Sequence, residues 1–302
     1  GLGREVVSSV LVIGDVMLDV VVRPEGTVQP TSDTPSRVSV GRGGAAANLA
    51  VALARSGADV TFAGSAGDDA VRVVVEDALR RAGVTPRLQV TGESSGTVVA
   101  VIDPSTGQRA MLTDRGANSA LALEFLMDLI TEGFDHVHVS GYTLLDESTR
   151  AAGVGALRAA HVRGAGTSVD VCSVGPLRAV GPDVFRTAAE HATMLFANEE
   201  EALVLMGRDD IDDALADLAE LFTEVVVTLG PRGAWAQRGD TVVAAPSEAT
   251  VVVDTTGAGD ATTGTYLGLR LQGVDLAEAL HEAMAAAAVV VAGGGSEGQA
   301  RW

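Results

Sequence analysis

Short strand-forming runs alternate with helical stretches along most of this 302-residue chain, and that alternation restricts the fold more than any other feature. Val6 to Ile13 is an apolar, β-rich run ending at Gly14-Asp15, the pattern of a buried strand that opens into a loop. "GGAAANLAVALARSG" (43–57) reads as a glycine turn, a helix and a glycine stop, and "DVTFAGSAGDD" supplies the next strand. A helix at 71–83, a β segment at 96–103, the turn "PSTGQ" and the run "RAMLTD" follow. Further strands are expected at 136–141, 166–171, 192–198 and 223–230, separated by helices near 147–163 and 199–220. This rhythm predicts an α/β fold, a doubly wound and mostly parallel central sheet flanked by helices, in one domain over residues 1–302. Such sheets bind ligands at the C-terminal ends of their strands, where Asp15, Gly141, Asp170, Asn198 and Gly230 fall.

Two segments, 17–41 and 92–114, break the rhythm with hairpin-like stretches that lack long helices. The first, "VVRPEGTVQPTSDTPSRVSV", alternates and carries three prolines, which suits edge strands outside the main sheet. The two are expected to pair into a small β-sheet lid over the ligand site.

Charge and composition exclude several classes of function. A net charge of −19 repels nucleic acid and anionic lipid, so neither is an expected partner. All 21 basic residues are arginine, which excludes the P-loop lysine, the protein-kinase lysine and Schiff-base chemistry. The single cysteine, Cys172, forms no internal disulfide, and no cleavable signal is legible at the N-terminus, so the expected location is cytoplasmic. The longest wholly apolar run, 283–292, has about half the length of a membrane span and is expected as a buried helix.

"VVVDTTGAGDATTG" is the stretch best suited to chemistry. A strand runs through a Gly-Ala-Gly turn into a helix, so the amides of Gly257, Ala258 and Gly259 can converge on an anion without any lysine. Asp260 then stands in the first helical turn, where a carboxylate beside an anion hole suits activation of a hydroxyl that attacks phosphorus. In "FANEEEALVLMG", Asn198 can cap a helix and Glu201 follows one turn later; the pair can equally hold a Mg²⁺ hydration shell. Thr228 and Gly230 end a strand where a hydroxyl and open backbone can meet a nucleotide. Asp19 and Asn48 can hydrogen-bond the hydroxyls of a polar small molecule or serve as turn residues.

Taken together in this order, "GDVMLD", "GRGGAAANLAVALARSGADVTFAGSAGDD", "DRGAN", "FANEEE", "VVVTLGPRGA" and "DTTGAGD" resemble the ribokinase-like (PfkB) family of sugar and nucleoside kinases across nearly the whole chain. The resemblance implies a ribokinase-like fold and transfer of the ATP γ-phosphate to a hydroxyl of a sugar or sugar derivative, with Mg²⁺ and in some members K⁺. A nucleoside kinase of the adenosine type is the alternative within the family, and a homodimer through the lid is its expected assembly. By the same resemblance Asp260 is the catalytic base, and Gly257, Ala258 and Gly259 form its anion hole. Asp254 and Thr256 match cation-binding positions, Asn198 and Glu201 the metal and phosphate motif, and Thr228 and Gly230 nucleotide contacts. Asp19, Gly43, Gly44 and Asn48 match the substrate end, and Arg109 or Arg115 beside the lid could reach a phosphate.

The sequence also departs from that pattern. Met17 and Ala45 stand where ribokinases proper carry Asn and Lys, which argues against ribose itself, and "GDVMLD" is closer to heptose-phosphate kinases. Ala261-Thr262-Thr263 replaces a common aromatic, and the terminal "VVVAGGGSEGQ" is unusually rich in glycine. Three further motifs compete with the kinase reading. "GRGGAA" fits the dinucleotide fingerprint of an NAD(P)-dependent Rossmann oxidoreductase, "GESSG" spells a serine nucleophile elbow, and His136 with His138 could form half of a metal site. The first follows only a short alternating run, the second precedes a strand where an elbow needs a helix, and the third lacks further ligands.

Overall fold

The computed structural model describes residues 7–106, 108–249 and 255–293. Strands and helices follow in the order β1 (Ser9–Ile13), β2 (Met17–Pro24), β3 (Ser36–Gly43), α1 (Ala45–Arg55), β4 (Asp59–Gly67), α2 (Ala70–Arg81), β5 (Val84–Thr91), β6 (Thr97–Ile102), β7 (Arg109–Asp114) and α3 (Leu123–Ile130). Then come β8 (His136–Val139), α4 (Gly141–Leu145), α5 (Glu147–Val162), β9 (Gly166–Asp170), α6 (Val174–Val180), α7 (Pro182–Ala188), β10 (Met194–Asn198) and α8 (Glu199–Met206). The remainder is α9 (Ile211–Leu221), β11 (Glu224–Thr228), β12 (Ala234–Arg238), β13 (Thr241–Ala245), α10 (Ala258–Leu271) and α11 (Leu276–Ala292).

Among the described residues the large sheet has the order β13-β12-β11-β10-β9-β8-β1-β4-β5. From β11 to β5 every neighbouring pair is parallel; β12 alone is reversed, pairing antiparallel with both β11 and β13. Both faces are covered by helices, so the strands must be apolar on both sides. In β1, Leu11 and Ile13 enter the core shared with α3 to α9, whereas Val10 and Val12 enter the core shared with α1, α2, α10 and α11.

The smaller sheet has the order β3-β2-β6-β7. Its two antiparallel hairpins, β2–β3 and β6–β7, come from the two segments that interrupt the βαβ rhythm, and a parallel β2–β6 pairing joins them.

Several local expectations change. The single helix expected at 199–220 is two helices, because Gly207 adopts a left-handed conformation (φ 63°) that ends α8 and Asp210 caps a new start for α9. The edge strand β5 is not among the strands expected from the sequence, and it carries Pro86, which a sheet edge tolerates. Helix α11 contains the apolar run 283–292, but it is only half sunk: Ala283, Met284 and Ala287 are buried and Val289 is exposed. Among the described residues no helix is long and apolar enough to cross a membrane.

The Rossmann reading fails on topology. Gly41 to Gly43 close β3 of the small sheet, not a strand of the large one. The N-terminus of α1 is occupied by the chain's own Asp15 carboxylate, which accepts from Ala45 N at 3.0 Å and Ala46 N at 3.4 Å, where a dinucleotide would need those amides. "GESSG" is a loop that leads into β6, so it forms no nucleophile elbow.

Candidate active site

Helix α10 brings the candidate chemistry to one point. Gly257 takes a left-handed conformation (φ 78°) that turns the chain into the helix, and Asp260 falls in the first turn. The first amides of a helix have no intrahelical acceptor. Ala258 N makes a long bond to Thr255 O at 3.2 Å, and at Gly259 a Cβ would meet nothing within 4 Å, so an incoming group can approach that backbone closely. The other end of the helix fixes its position. A Cβ at Gly264 would stand 2.6 Å from Leu49 O, and one at Gly268 would overlap Ser56 Oγ, so only glycine lets α10 lie this close to α1.

That close packing places Asn48 against Asp260. Asn48 Nδ2 donates to Asp260 Oδ2 at 3.0 Å, and Arg42 Nη1 donates to Asn48 Oδ1 at 2.6 Å. Burial pushes the Asp260 pKa up to about 8, the Asn48 bond opposes the rise, and the charges of Asp170 and Asp15 reinforce it. A carboxylate poised near neutrality suits a general base. Arg42 is itself buried, and that burial pulls its pKa down to about 10. Asp19 stands over Gly43, where any Cβ would overlap its carboxylate, and burial lifts its pKa to about 6. Gly44 needs its left-handed φ of 94° and its missing side chain, because a Cβ there would come within 2.5 Å of Asp15 O.

Three adjoining cavities meet around this point. The largest, ≈ 710 Å³, holds Asp15, Asp19, Asn48 and Asp260 on its polar side and Met17, Val98, Met111, Leu145 and Pro176 on its apolar side. A second, ≈ 220 Å³, is lined by Asp170, Cys172, Asn198, Glu201, Thr228, Gly259 and Asp260. A third, ≈ 390 Å³, runs from Thr228, Gly230 and Gly259 to Met284, Ala287 and Val291 and is largely apolar. Asp260 therefore borders the first two cavities, and Gly259 the second and third.

The remaining candidates separate into those that join this constellation and those that do not. Asn198 and Glu201 form a full capping box: Asn198 Oδ1 accepts from Glu201 N at 2.9 Å, and Glu201 Oε2 accepts from Asn198 N at 2.9 Å. Both also line the second cavity, so the helix cap and part of the cavity wall are the same residues, and burial lifts the Glu201 pKa to about 7. Thr228 sits beside Asn198 in the β10–β11 register. Arg115 faces the large cavity, stacks over Tyr142 at 5.4 Å and reaches Asp146 Oδ2 at 3.3 Å, so a carboxylate already offsets its charge. Arg109 donates to Thr256 Oγ1, tying β7 of the small sheet to the turn that leads into α10. Asp254 lies outside the described residues, as does the chain beyond 293 with most of "VVVAGGGSEGQ".

Arg42, Asp170 and Cys172 were not singled out as site residues in the sequence, although Arg42 orients Asn48. Asp170 ends β9 inside the second cavity, and Cys172 borders both that cavity and the large one. The signal for Asp170 was its position at a strand end; Cys172 carries a φ of 69°, unusual for a residue with a side chain, and nothing in the sequence marks that.

Comparison with known proteins identifies the family and the fold. The model of the pfkB family carbohydrate kinases matches residues 7–300. An ATP-dependent ribose-1-phosphate kinase of Halopiger xanaduensis is 30% identical, with 93% of this chain and 90% of that protein aligned. A ribokinase of Bacillus subtilis is 29% identical over 96% of this chain and 95% of its own length. In fold, the crystal structure of an adenosine kinase from Sinorhizobium meliloti superposes with a TM-score of 0.84 at 24% identity, covering 94% of each chain. The large mostly parallel sheet with a smaller sheet beside it is thus the ribokinase-like fold, and the chemistry is phosphoryl transfer to a hydroxyl, for which ATP and Mg²⁺ fit. The chain belongs to the PfkB family of carbohydrate kinases.

Proposed function

We propose that this protein transfers the γ-phosphate of ATP to a hydroxyl of a sugar or sugar derivative, with Asp260 as the catalytic base. The observation that carries this reading is the position of Asp260 on the border of two cavities. An acceptor hydroxyl in the large cavity and a phosphoryl group in the second would meet at its carboxylate. Asp260 takes the hydroxyl proton as the oxygen attacks phosphorus, and the amides of Gly257, Ala258 and Gly259 stabilise charge on the transferred group. The apolar cleft between Gly230 and Met284 suits the adenine, with Thr228 at its inner end.

The donor set around the second cavity fits Mg²⁺. Asp170, Glu201 and Asn198 offer hard oxygen atoms, yet among the described residues no group of three or more His, Cys, Asp or Glu could hold a metal on its own. A cation that keeps several waters and is held largely by nucleotide phosphates suits such a wall. When bound, Mg²⁺ would neutralise the phosphates. A K⁺ requirement through Asp254 and Thr256 belongs to the same reading, and replacing K⁺ by a bulky organic cation in the assay tests it. Val38, Val40 and Leu112 of the small sheet are exposed, which supports a homodimer through the lid; monomeric elution at micromolar concentration would contradict it.

A nucleoside acceptor of the adenosine type is the second reading. It is favoured by the volume of the large cavity and its apolar wall, which leave room for more than a monosaccharide. A coupled ADP-release assay over free sugars, sugar phosphates, sugar acids and nucleosides decides between acceptors. Mg²⁺-dependent ADP release with at least one of them is expected, and silence across the panel would overturn the kinase reading.

A further inference from the structure

We propose that His138 is a positioning residue of this site, whose Nε2–H group holds the Asp170 carboxylate in place as the last donor of a buried chain from His136 through Ser168. The functional part of the proposal rests on the kinase reading above; the hydrogen-bond chain does not.

His136 and His138 lie two residues apart on β8 and point to the same side of the large sheet, with Ser168 beside His138 in the neighbouring β9. All three side chains are buried. Ser168 Oγ is 2.8 Å from His136 Nε2 and 2.8 Å from His138 Nδ1. His138 Nε2 is fully buried, has no hydrogen-bond partner at ordinary geometry, and stands 3.5 Å from Asp170 Oδ1. Asp170 Oδ1 also accepts from Gly141 N at 2.9 Å.

Proton counting gives this chain a direction. A bare Nε2 would turn its lone pair toward a carboxylate oxygen at a fully buried position, so the proton of His138 belongs on Nε2. Nδ1 is then an acceptor and takes the single hydroxyl proton of Ser168. Ser168 Oγ in turn accepts from His136 Nε2–H. The two bonded links then run one way, and the Nε2–H group at their end faces the Asp170 carboxylate across 3.5 Å.

That carboxylate belongs to the second cavity, and its charge is felt there: it raises the pKa values of both Glu201 and Asp260. Gly141 N–H donates to Oδ1 and the His138 Nε2–H group faces the same oxygen at 3.5 Å, so backbone and imidazole act on one side of the carboxylate. A strand interior filled with valine would have been simpler to bury, and the polar chain gains a role if it fixes which way Asp170 faces.

Two measurements test the proposal. The chain has only five histidines, so ¹⁵N-histidine labelling resolves their tautomers by NMR. His138 is expected as the Nε2–H form; a proton on Nδ1 with a bare Nε2 overturns the proposal in the unmodified protein, whatever the enzyme does. The second uses His138→Gln, whose amide can replace Nε2–H toward Asp170, against His138→Asn, whose amide reaches only Ser168. Binding of Mn²⁺·ADP by calorimetry is expected to weaken about tenfold in His138→Asn and to stay close to the parent in His138→Gln, at matched melting temperatures. Equal losses in both, or no loss in His138→Asn, would reduce the histidine to core packing. If no acceptor elicits ADP release from the parent, the kinase reading fails, while the tautomer and the Mn²⁺·ADP binding still decide the chain.

Discussion

Asn48 Nδ2 donates to Asp260 Oδ2 at 3.0 Å, a bond that joins helices α1 and α10 across 212 positions of sequence. Its direction is fixed from behind. Arg42 carries only donors, so it claims Asn48 Oδ1 and turns the amide nitrogen toward the carboxylate. One residue of the lid strand β3 thereby orients the partner of the candidate base.

Asp260→Asn removes the base but keeps the shape of the site. Turnover is expected to fall by about 10²-fold or more, with a smaller change in the acceptor KM, in a steady-state ADP-release assay. Melting at pH 8 to 9 should not fall and should rise, because a buried charge has been removed. Near-parent turnover in this variant would exclude Asp260 as the base.

The pH dependence follows from the same burial. Asp260 must be ionised to act, so kcat/KM is expected to rise with pH and level off above about 8. Stability moves the other way. Asp260, Glu201 and Asp19 have folded pKa values raised to about 8, 7 and 6, so the folded state holds more protons than the unfolded one between the ordinary carboxylate range and those values. Their stabilisation is complete below the ordinary carboxylate pKa and is lost as pH climbs through 6 to 8. Calorimetric melting between pH 5 and 9 checks the sign, and the slope should be shallower in Asp260→Asn.

Arg42→Gln tests the charge behind Asn48. Gln can still donate to the Asn48 oxygen, but it no longer opposes the rise of the Asp260 pKa. The inflection of the pH-rate profile is expected to move to higher pH, while the limiting rate at high pH stays closer to the parent. An unmoved inflection would show that this cation is not felt at Asp260.

Gly43→Ala places a methyl group where the Asp19 carboxylate stands. Asp19 must swing away, and the acceptor KM is expected to rise about tenfold or more with the KM for ATP little changed, since misplacing a contact by about 1 Å is costly in an oriented site. Separate titrations of the two substrates make the comparison.

Much of this molecule could be read before folding was considered. The βαβ rhythm came from strand runs whose alternate residues, such as Leu11 and Val12, both enter apolar cores; the interruptions at 17–41 and 92–114 marked the second sheet. Where the local code was ambiguous the reading slipped: β5 was not among the expected strands, and a lone Gly207 did not by itself declare that the helical stretch after Asn198 is broken in two. Asn198 and Glu201 could be read as a helix cap or as holders of a Mg²⁺ hydration shell; they form a cap that also lines the second cavity, since one carboxylate can satisfy a helix end and border a cavity.

What the sequence determined by itself was local: the glycine turn into a helix at Gly257, the acid in the following helical turn, the absence of any lysine to hold phosphate, and the periodicities that sort the chain into layers. Tertiary structure decided the rest, because it depends on distances between residues far apart in the chain. Glycines at 264 and 268 let α10 settle on α1 and so bring Asn48 to Asp260. Burial then raised the carboxylate pKa values, Asp146 drew off the charge of Arg115, and Ser168 linked two histidines that the sequence showed only as neighbours on one strand. Hydrogen bonding and desolvation act over a few ångströms in space, and only the packed sheet and its helices set which groups lie within that range.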